Sequence, residues 1–362
     1  MTGRRVASSG RLSPRGAATR PARPSPRGAA ARPVRVAISL GDPSGIGPEV
    51  TAGALLAVRG EIEPVLCGDP GLLGRGLDAL VGGRRGLPVL EPGEAIPPGG
   101  AFVAVTRLPT SALRPGRPSP RGGAAQLAFL THAFDLVQNG AAAALCTAPV
   151  SKAQIARVLP GFRGHTEWLE ARCGGGRTVM MLAGERLKVA LVTNHLPLSR
   201  VRRALTPALI AETIAVTWRS LRADLGLARP RLALAAWNPH AGESGLVGDE
   251  EATLCAPALA LARRGGTPAA GPFPADSVFF RAALGEFDAV VALYHDQGLI
   301  PVKLMDSVLG DPAVNVTLGL PIVRTSPDHG VAYSLAGTGK ASSASMVAAL
   351  RLAARMARGR GA

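Results

Sequence analysis

From Val34 onward the apolar residues of this chain fall into two alternating kinds of grouping. Short continuous apolar runs, bounded by Gly, Pro, Asn or Asp, predict buried strands. They are VRVAISL (34–40), AAAALCTAP (141–149), RLKVALVTNH (186–195), RLALAAWNPH (231–240) and FDAVVALYHD (287–296). Longer segments with apolar residues at helical spacing predict helices. They are VTAGALLAVRG (50–60), AQLAFLTHAFDLVQNG (125–140), TPALIAETIAVTWRSLRADLG (206–226), DEEATLCAPALALARRGG (249–266) and SASMVAALRLAARMARG (343–359). Strands separated by long helices imply an α/β fold with a largely parallel sheet.

Three of the apolar runs end in the same way, on His195, His240 and His295. In parallel α/β sheets the carboxyl ends of the strands share one rim, and ligands bind there. Three imidazoles on one rim can hold one divalent metal and leave coordination positions open for a substrate. A single strand-end histidine is commonly incidental. Three of them, in the contexts T-N-H-L-P, N-P-H-A-G-E and Y-H-D-Q-G, argue against coincidence. A fourth, His165 in GFRGHTEWLE, stands at a helix entry where Thr166 is a candidate cap. GDPSGIGPE (41–49) follows a strand and opens a helix, so its amides could hold an anion; a tight turn is the alternative. It matches neither G-x-G-x-x-G nor a Walker loop. The Gly-rich segment VNVTLGLPIVRTSPDHGVAYSLAGTGKA (314–341), with Arg324 and His329, reads as a loop that contacts phosphate or nucleotide.

Composition narrows the function classes. At 362 residues the chain suits two lobes. Its apolar runs fall short of the roughly 18 residues of a membrane span, and the N-terminus lacks a secretory h-region, so a cytoplasmic enzyme with no membrane contact is expected. Cys67, Cys146, Cys173 and Cys255 are far apart and without a C-x-x-C pair, as reduced thiols are. Of the net charge of +16, half comes from eight arginines in residues 1–33, where Lys, Asp and Glu are missing. That stretch repeats itself (RLSPRGAA, RPSPRGAAA) and reads as a disordered tail or an over-extended gene start. Only 4% of residues are aromatic, which leaves few stacking platforms and argues against a nucleic-acid partner. A moderately basic body suits an enzyme that attracts anionic substrates.

Taken together, GDPSGIGPE, TAPVSK, GHTEWL, VTNHLPL, NPHAGESGLVGDEE, GPFPADSVF, YHDQGLIPVK and VNVTLGLPIVRTSPDHG resemble the 4-hydroxythreonine-4-phosphate dehydrogenase family of vitamin B6 biosynthesis, from about Val36 to the last helix. The resemblance implies two α/β/α lobes with a cleft between them, isocitrate/isopropylmalate dehydrogenase-like and not Rossmann. Residues 34–140 plus 305–362 would form the nucleotide-side lobe, and 141–304 the lobe with the metal histidines and dimer contacts. It implies a homodimer with sites at the interface and a small phosphorylated amino-acid substrate. The metal ligands would be His195, His240 and His295. Substrate contacts would be His165, Thr166, Lys303, Asn315 and Arg324. His329 and Gly330 would open a nucleotide loop in which Ser334 replaces the related dehydrogenases' Asp. The implied reaction is oxidation of 4-phosphooxy-L-threonine by NAD or NADP with one divalent ion (Zn, Mg or Co), then decarboxylation to 3-amino-2-oxopropyl phosphate. Lys303, Asp276 and Asp296 are candidates for the proton transfers; Lys303 could equally clamp phosphate, and Asp296 could orient His295. Sister activities on 4-phosphoerythronate, 4-phosphothreonate or a dihydrodiol carboxylate share the same machinery. LMDSVLGDPA (304–313) is longer than usual for the family and is expected to alter the pocket's edge.

Overall fold

All five apolar runs form strands, each shorter than the run that announced it. The computed structural model describes residues 32–82 and 86–362, so the expected tail lies, but for Arg32 and Pro33, outside the described residues. The chain begins with β1 (Val34–Ser39), α1 (Gly47–Ala57), β2 (Ile62–Gly68), β3 (Val89–Leu90), β4 (Ala101–Ala104), α2 (Pro120–Gln138) and β5 (Ala144–Thr147). It continues with α3 (Lys152–Ala156), α4 (His165–Arg172), β6 (Val179–Ala183), β7 (Lys188–Leu191), α5 (Leu198–Ala204), α6 (Pro207–Leu225) and β8 (Leu232–Ala235). The last elements are α7 (Ala256–Arg264), β9 (Ala269–Phe273), α8 (Ala275–Ala283), β10 (Ala289–Ala292), α9 (His295–Leu309), β11 (Val314–Leu318), β12 (Val323–Pro327) and α10 (Ala344–Gly359). RPSPRGGAA (117–125), which echoes the tail's RPSPRGAAA, is the capped start of α2: Ser119 accepts from Gly122 N at 3.1 Å, and Pro120 takes the first helical position. The helix expected over 249–266 starts later, because Pro257 suits only a first turn; a wider turn, Glu251–Cys255, precedes α7.

Residues 33–362 form one compact unit around a single 12-stranded sheet, ordered β3-β4-β2-β1-β5-β12-β11-β6-β7-β10-β8-β9. Pairing is parallel on both flanks and antiparallel at β12–β11, β11–β6 and β6–β7. The chain direction therefore reverses at the centre of the sheet. The segment 314–327, read from sequence as loop, supplies two of these central strands. Its V-N-V-T-L has the period of two of a strand with unlike faces, a signal hidden between the glycines and prolines around it.

The two faces of the sheet are covered differently. On one, α1, α6, α7 and α10 pack into a continuous core that includes Val50, Ile214, Leu259 and Leu350. On the other there are two separate cores. One gathers α2, α3 and α4 around Phe134, Ile155 and Leu169; the other gathers α8 and α9 around Val278 and Val302. Between them the central strands lie uncovered by a helix.

Side chains just past the strands fix the rim of β7, β10 and β8. Thr193 donates to Leu293 O at 2.8 Å. Gln297, buried, accepts from Leu293 N and donates to Ala236 O, both at 2.7 Å, so one amide ties the end of β10 to that of β8. Gly298 lets α9 approach β7: a Cβ there would lie 2.7 Å from Val189 Cγ1. The Q-G of Y-H-D-Q-G is thus structural. Gln297→Ala should lower stability by about 2–4 kcal/mol, because two buried backbone groups lose their partners. Denaturant unfolding measures this, and an unchanged midpoint would mean that the tie is dispensable.

Candidate active site

Strand periodicity builds the floor of the site. Val314, Val316 and Val323 turn to the continuous core, so Asn315, Thr317, Arg324 and Ser326 face the other way, beside Met180 and Leu182 of β6. They underlie a cavity of about 380 Å³ between the two separate cores. Arg324 is 3% exposed. It donates to Thr147 Oγ1 at 2.7 Å and Thr317 Oγ1 at 3.2 Å, and it has no carboxylate partner among the described residues. Arg324 Nε, Asn315 Oδ1, Asn194 Oδ1, His165 Nε2 and His329 Nε2 are all buried without a hydrogen-bond partner, and all five residues line this cavity. Buried polar atoms are normally paired, so their clustering marks a place built for a polar ligand.

The predicted residues divide between those brought together and those left apart. His165, Thr166, His195, His295, Asn315, Arg324, His329 and Gly330 line the cavity. His195 and His295 face each other with ring centroids 5.4 Å apart, and His295 Nδ1 bonds Asp296 Oδ1 at 2.7 Å. That bond leaves His295 Nε2 for a ligand, the orienting arrangement read for Asp296. Thr166 is not a cap: Gly164 holds that position, and Thr166 Oγ1 instead lies 3.4 Å from Thr317 Oγ1. His240 does not line the cavity, and among the described residues the chain alone forms no cluster of three metal-ligating groups. His240 begins a run with positive φ through Ser244, a costly conformation for the non-glycine residues in it. Glu251 braces this loop by accepting from the backbone N–H groups of Trp237 and Asn238 and from Asn238 Nδ2. Asp276 is exposed on α8. Lys303, outside the lining, pairs with the cavity residue Asp328 at 2.5 Å. The long 304–313 segment does not edge this cavity. Its Asp311 accepts from Glu185 N and Arg186 N, and it walls a separate space of about 570 Å³. The GDPSGIGPE amides are committed within the protein, Asp42 N to Pro149 O and Ile46 N to Val331 O, so this segment is a packed turn.

Comparison with known proteins decides the family. Residues 61–353 match the profile of "Pyridoxal phosphate biosynthetic protein PdxA". The chain belongs to this family. A 4-hydroxythreonine-4-phosphate dehydrogenase of Desulfosudis oleivorans is 46% identical over 324 residues, covering 88% of this chain and 94% of the relative. One of Paracoccus denitrificans is 43% identical, covering 89% and 97%. The crystal structure of the Klebsiella pneumoniae 4-hydroxythreonine-4-phosphate dehydrogenase shares 39% identity with a TM-score of 0.76, covering 90% and 98%. A terephthalate 1,2-cis-dihydrodiol dehydrogenase from Burkholderia xenovorans shares 28% with a TM-score of 0.62, over the same shares. As a PdxA-family member the chain is an oxidoreductase acting on a CH–OH group, with an α/β fold that is not Rossmann. Among its described residues no helix is long and apolar enough to cross a membrane.

Several cavity residues escaped the sequence reading. Thr147 and Lys152 lie in TAPVSK, Glu167 in GHTEWL, and Asn194 precedes His195; each motif was visible, but not which of its side chains face the site. Electrostatics there are set by burial first and by nearby cations second. Burial, then the charges of Arg324 and Lys152, hold His165 well below the ordinary imidazole pKa. Burial, Lys152 and His295 also lower His195. Burial pulls Arg324 down to about 10, which leaves it protonated at neutral pH. Because the folded-state pKa of His165 is depressed, its contribution to stability is full above pH 6.5 and is lost as pH falls toward that lower value. Its ring resonances should therefore stay those of neutral imidazole from pH 8 to 6 in an NMR titration. A midpoint near 6.5 would contradict this electrostatic picture.

Proposed function

We propose that this PdxA-family chain oxidises the secondary alcohol of 4-phosphooxy-L-threonine, with decarboxylation to 3-amino-2-oxopropyl phosphate, in pyridoxal 5'-phosphate biosynthesis. The observation that carries the reading is one cavity that joins a buried Arg324, without an ion-pair partner among the described residues, to a facing pair of imidazoles. The first suits a phosphorylated substrate, the second a divalent cation.

The residues present fit both implied groups. Two imidazoles with centroids 5.4 Å apart can share one ion, and His295 is oriented for it by Asp296. His329 has a buried, unpartnered Nε2 beside the cavity, and Gly330 has open space where a Cβ would stand, which suits a nucleotide's approach. When bound, a Zn, Mg or Co ion on His195, His240 and His295 would supply Lewis acidity at the substrate oxygen, and NAD or NADP would accept hydride. The chain's own groups do the rest. Arg324 and Asn315 hold polar ends of the substrate. His165 offers a neutral ring. Lys303, anchored by Asp328, stands at the edge as a candidate for moving the hydroxyl proton.

The same proposal includes two lobes meeting at the strand reversal and a homodimer that completes each site across the interface. Ile300, Leu304 and Val308 form an exposed stripe at spacing i, i+4, i+8 on α9, and Phe280 and Leu284 are exposed at α8. The His240 loop packs on α8, whose first turn carries Asp276. His240 and Asp276, two predicted residues outside the cavity of their own chain, therefore lie at α8, whose exposed apolar residues a second copy would cover. A sister activity is the second reading, favoured by the likeness to the terephthalate dihydrodiol dehydrogenase, since Arg324 would bind a carboxylate as well as a phosphate.

The test measures NAD(P)H formation on 4-phosphooxy-L-threonine, 4-phosphoerythronate, 4-phosphothreonate and a dihydrodiol carboxylate, with metal-stripped and metal-restored protein. His195→Ala and His240→Ala should each abolish turnover and metal retention without unfolding the chain. Mixing the two under conditions of subunit exchange should restore activity if a site draws on both chains. Full activity of metal-free His240→Ala would overturn the metal reading, and failure of the mixture to recover would count against shared sites.

A further inference from the structure

A phosphate monoester carries about −1.5 to −2 charges at pH 7. One guanidinium offsets only part of this, so a second cation should face the same space. Lys303, the lysine suggested by sequence, does not: its ammonium is 2.5 Å from Asp328 Oδ2 and donates to Asp328 O at 2.8 Å, outside the lining. Lys152 does line the cavity, beside His165, Thr166 and Arg324. Its backbone is anchored: Ser151 N donates to the buried Gln126 Oε1 at 2.7 Å, and the Ser151 hydroxyl caps α3. From there the side chain runs over Gly164, where a Cβ would stand 3.3 Å from Lys152 Cε and 3.6 Å from its Nζ. The glycine of G-H-T-E thus leaves the passage open. Among the described residues no hydrogen bond or ion pair holds the exposed Lys152 ammonium, although Glu167, whose Oε2 would stand 3.1 Å from the same Cβ, lines the same cavity. It is near enough to His165 for its charge to act on that ring.

We propose that Lys152 is the second cation of the phosphate site, closing from the side on the group that Arg324 holds from beneath, and that Lys303 is not the phosphate clamp. This assignment rests on the reading of the cavity as a site for a phosphorylated substrate. A charge-assisted hydrogen bond to phosphate contributes roughly 1.5–3 kcal/mol, which corresponds to about a ten- to hundredfold change in affinity.

The experiment titrates inorganic phosphate calorimetrically into the full chain supplied with divalent metal, as wild type, Lys152→Met, Lys152→Arg and Lys303→Met. Thermal unfolding confirms that each variant is folded. Phosphate affinity should fall about ten- to hundredfold in Lys152→Met, recover largely in Lys152→Arg, and stay within about threefold of wild type in Lys303→Met. In turnover, Lys152→Met should raise KM for 4-phosphooxy-L-threonine by a similar factor, with kcat and the KM for NAD(P) changed far less. The proposal is overturned if Lys152→Met binds phosphate like wild type, if Lys303→Met loses as much affinity, or if wild type binds no phosphate. If the predicted affinity order holds but no phosphorylated compound is oxidised, the substrate reading fails and the Lys152 assignment stands.

Discussion

A guanidinium buried in the middle of a sheet, without an ion-pair partner among the described residues, is the constraint on which the rest of this structure turns. Arg324 sits on β12 at the seam where strand direction reverses, and among the described residues only two threonine hydroxyls accept hydrogen bonds from it. Burial lowers its pKa to about 10, a cost on the order of 3 kcal/mol at neutral pH. Because the folded-state pKa is the lower one, the penalty applies at neutral pH and is relieved only as pH rises past 10. An ion held at such cost is understandable if an anion from outside completes it. The polar atoms around it are likewise unpartnered.

The fold creates that position by covering the sheet unevenly. Helices fill one face along its whole length, whereas on the other they form two cores with a gap between them. The floor of the gap is polar because β11 and β12 alternate. Its walls are the start of α4 on one side and of α9 on the other. Behind the site, buried Asp42 accepts from Ser44 N at 2.8 Å and from Tyr333 OH at 2.6 Å, pinning the 41–49 turn to the segment that follows His329. Burial raises the Asp42 pKa even against these hydrogen bonds. The GDPSGIGPE motif therefore positions the neighbouring loop.

The strand–helix alternation and the three strand-end histidines were legible in the sequence because continuous apolar runs of this length have few alternatives. Position in the sheet was not. Strands of four or five residues such as β6, β11 and β12 offer little periodicity to read, and an arginine inside one looks like a surface residue until its neighbours are known. The motif Y-H-D-Q-G displayed its histidine and aspartate, while the structural work of Gln297 and Gly298 depends on the adjacent strands β8 and β7. Convergence was legible only in part. His195 and His295 end neighbouring strands and meet, whereas His240 leaves β8 on a left-handed loop that keeps it outside the cavity of its own chain. Lys152 was hidden for a similar reason: five residues before Arg157 on a short helix it looks solvated, and only the passage over Gly164 shows where its charge goes.

Unfolding free energies of wild type and Arg324→Met, each with and without saturating phosphate, decide whether Arg324 is held unpaired for an anion of the substrate. A buried charge replaced by an apolar chain of similar length is commonly neutral or stabilising. If Arg324 is so held, Arg324→Met should be at least as stable as wild type without phosphate and should gain nothing when phosphate is added, whereas wild type is stabilised. Marked destabilisation of Arg324→Met without phosphate, together with equal stabilisation of both proteins by phosphate, would contradict it.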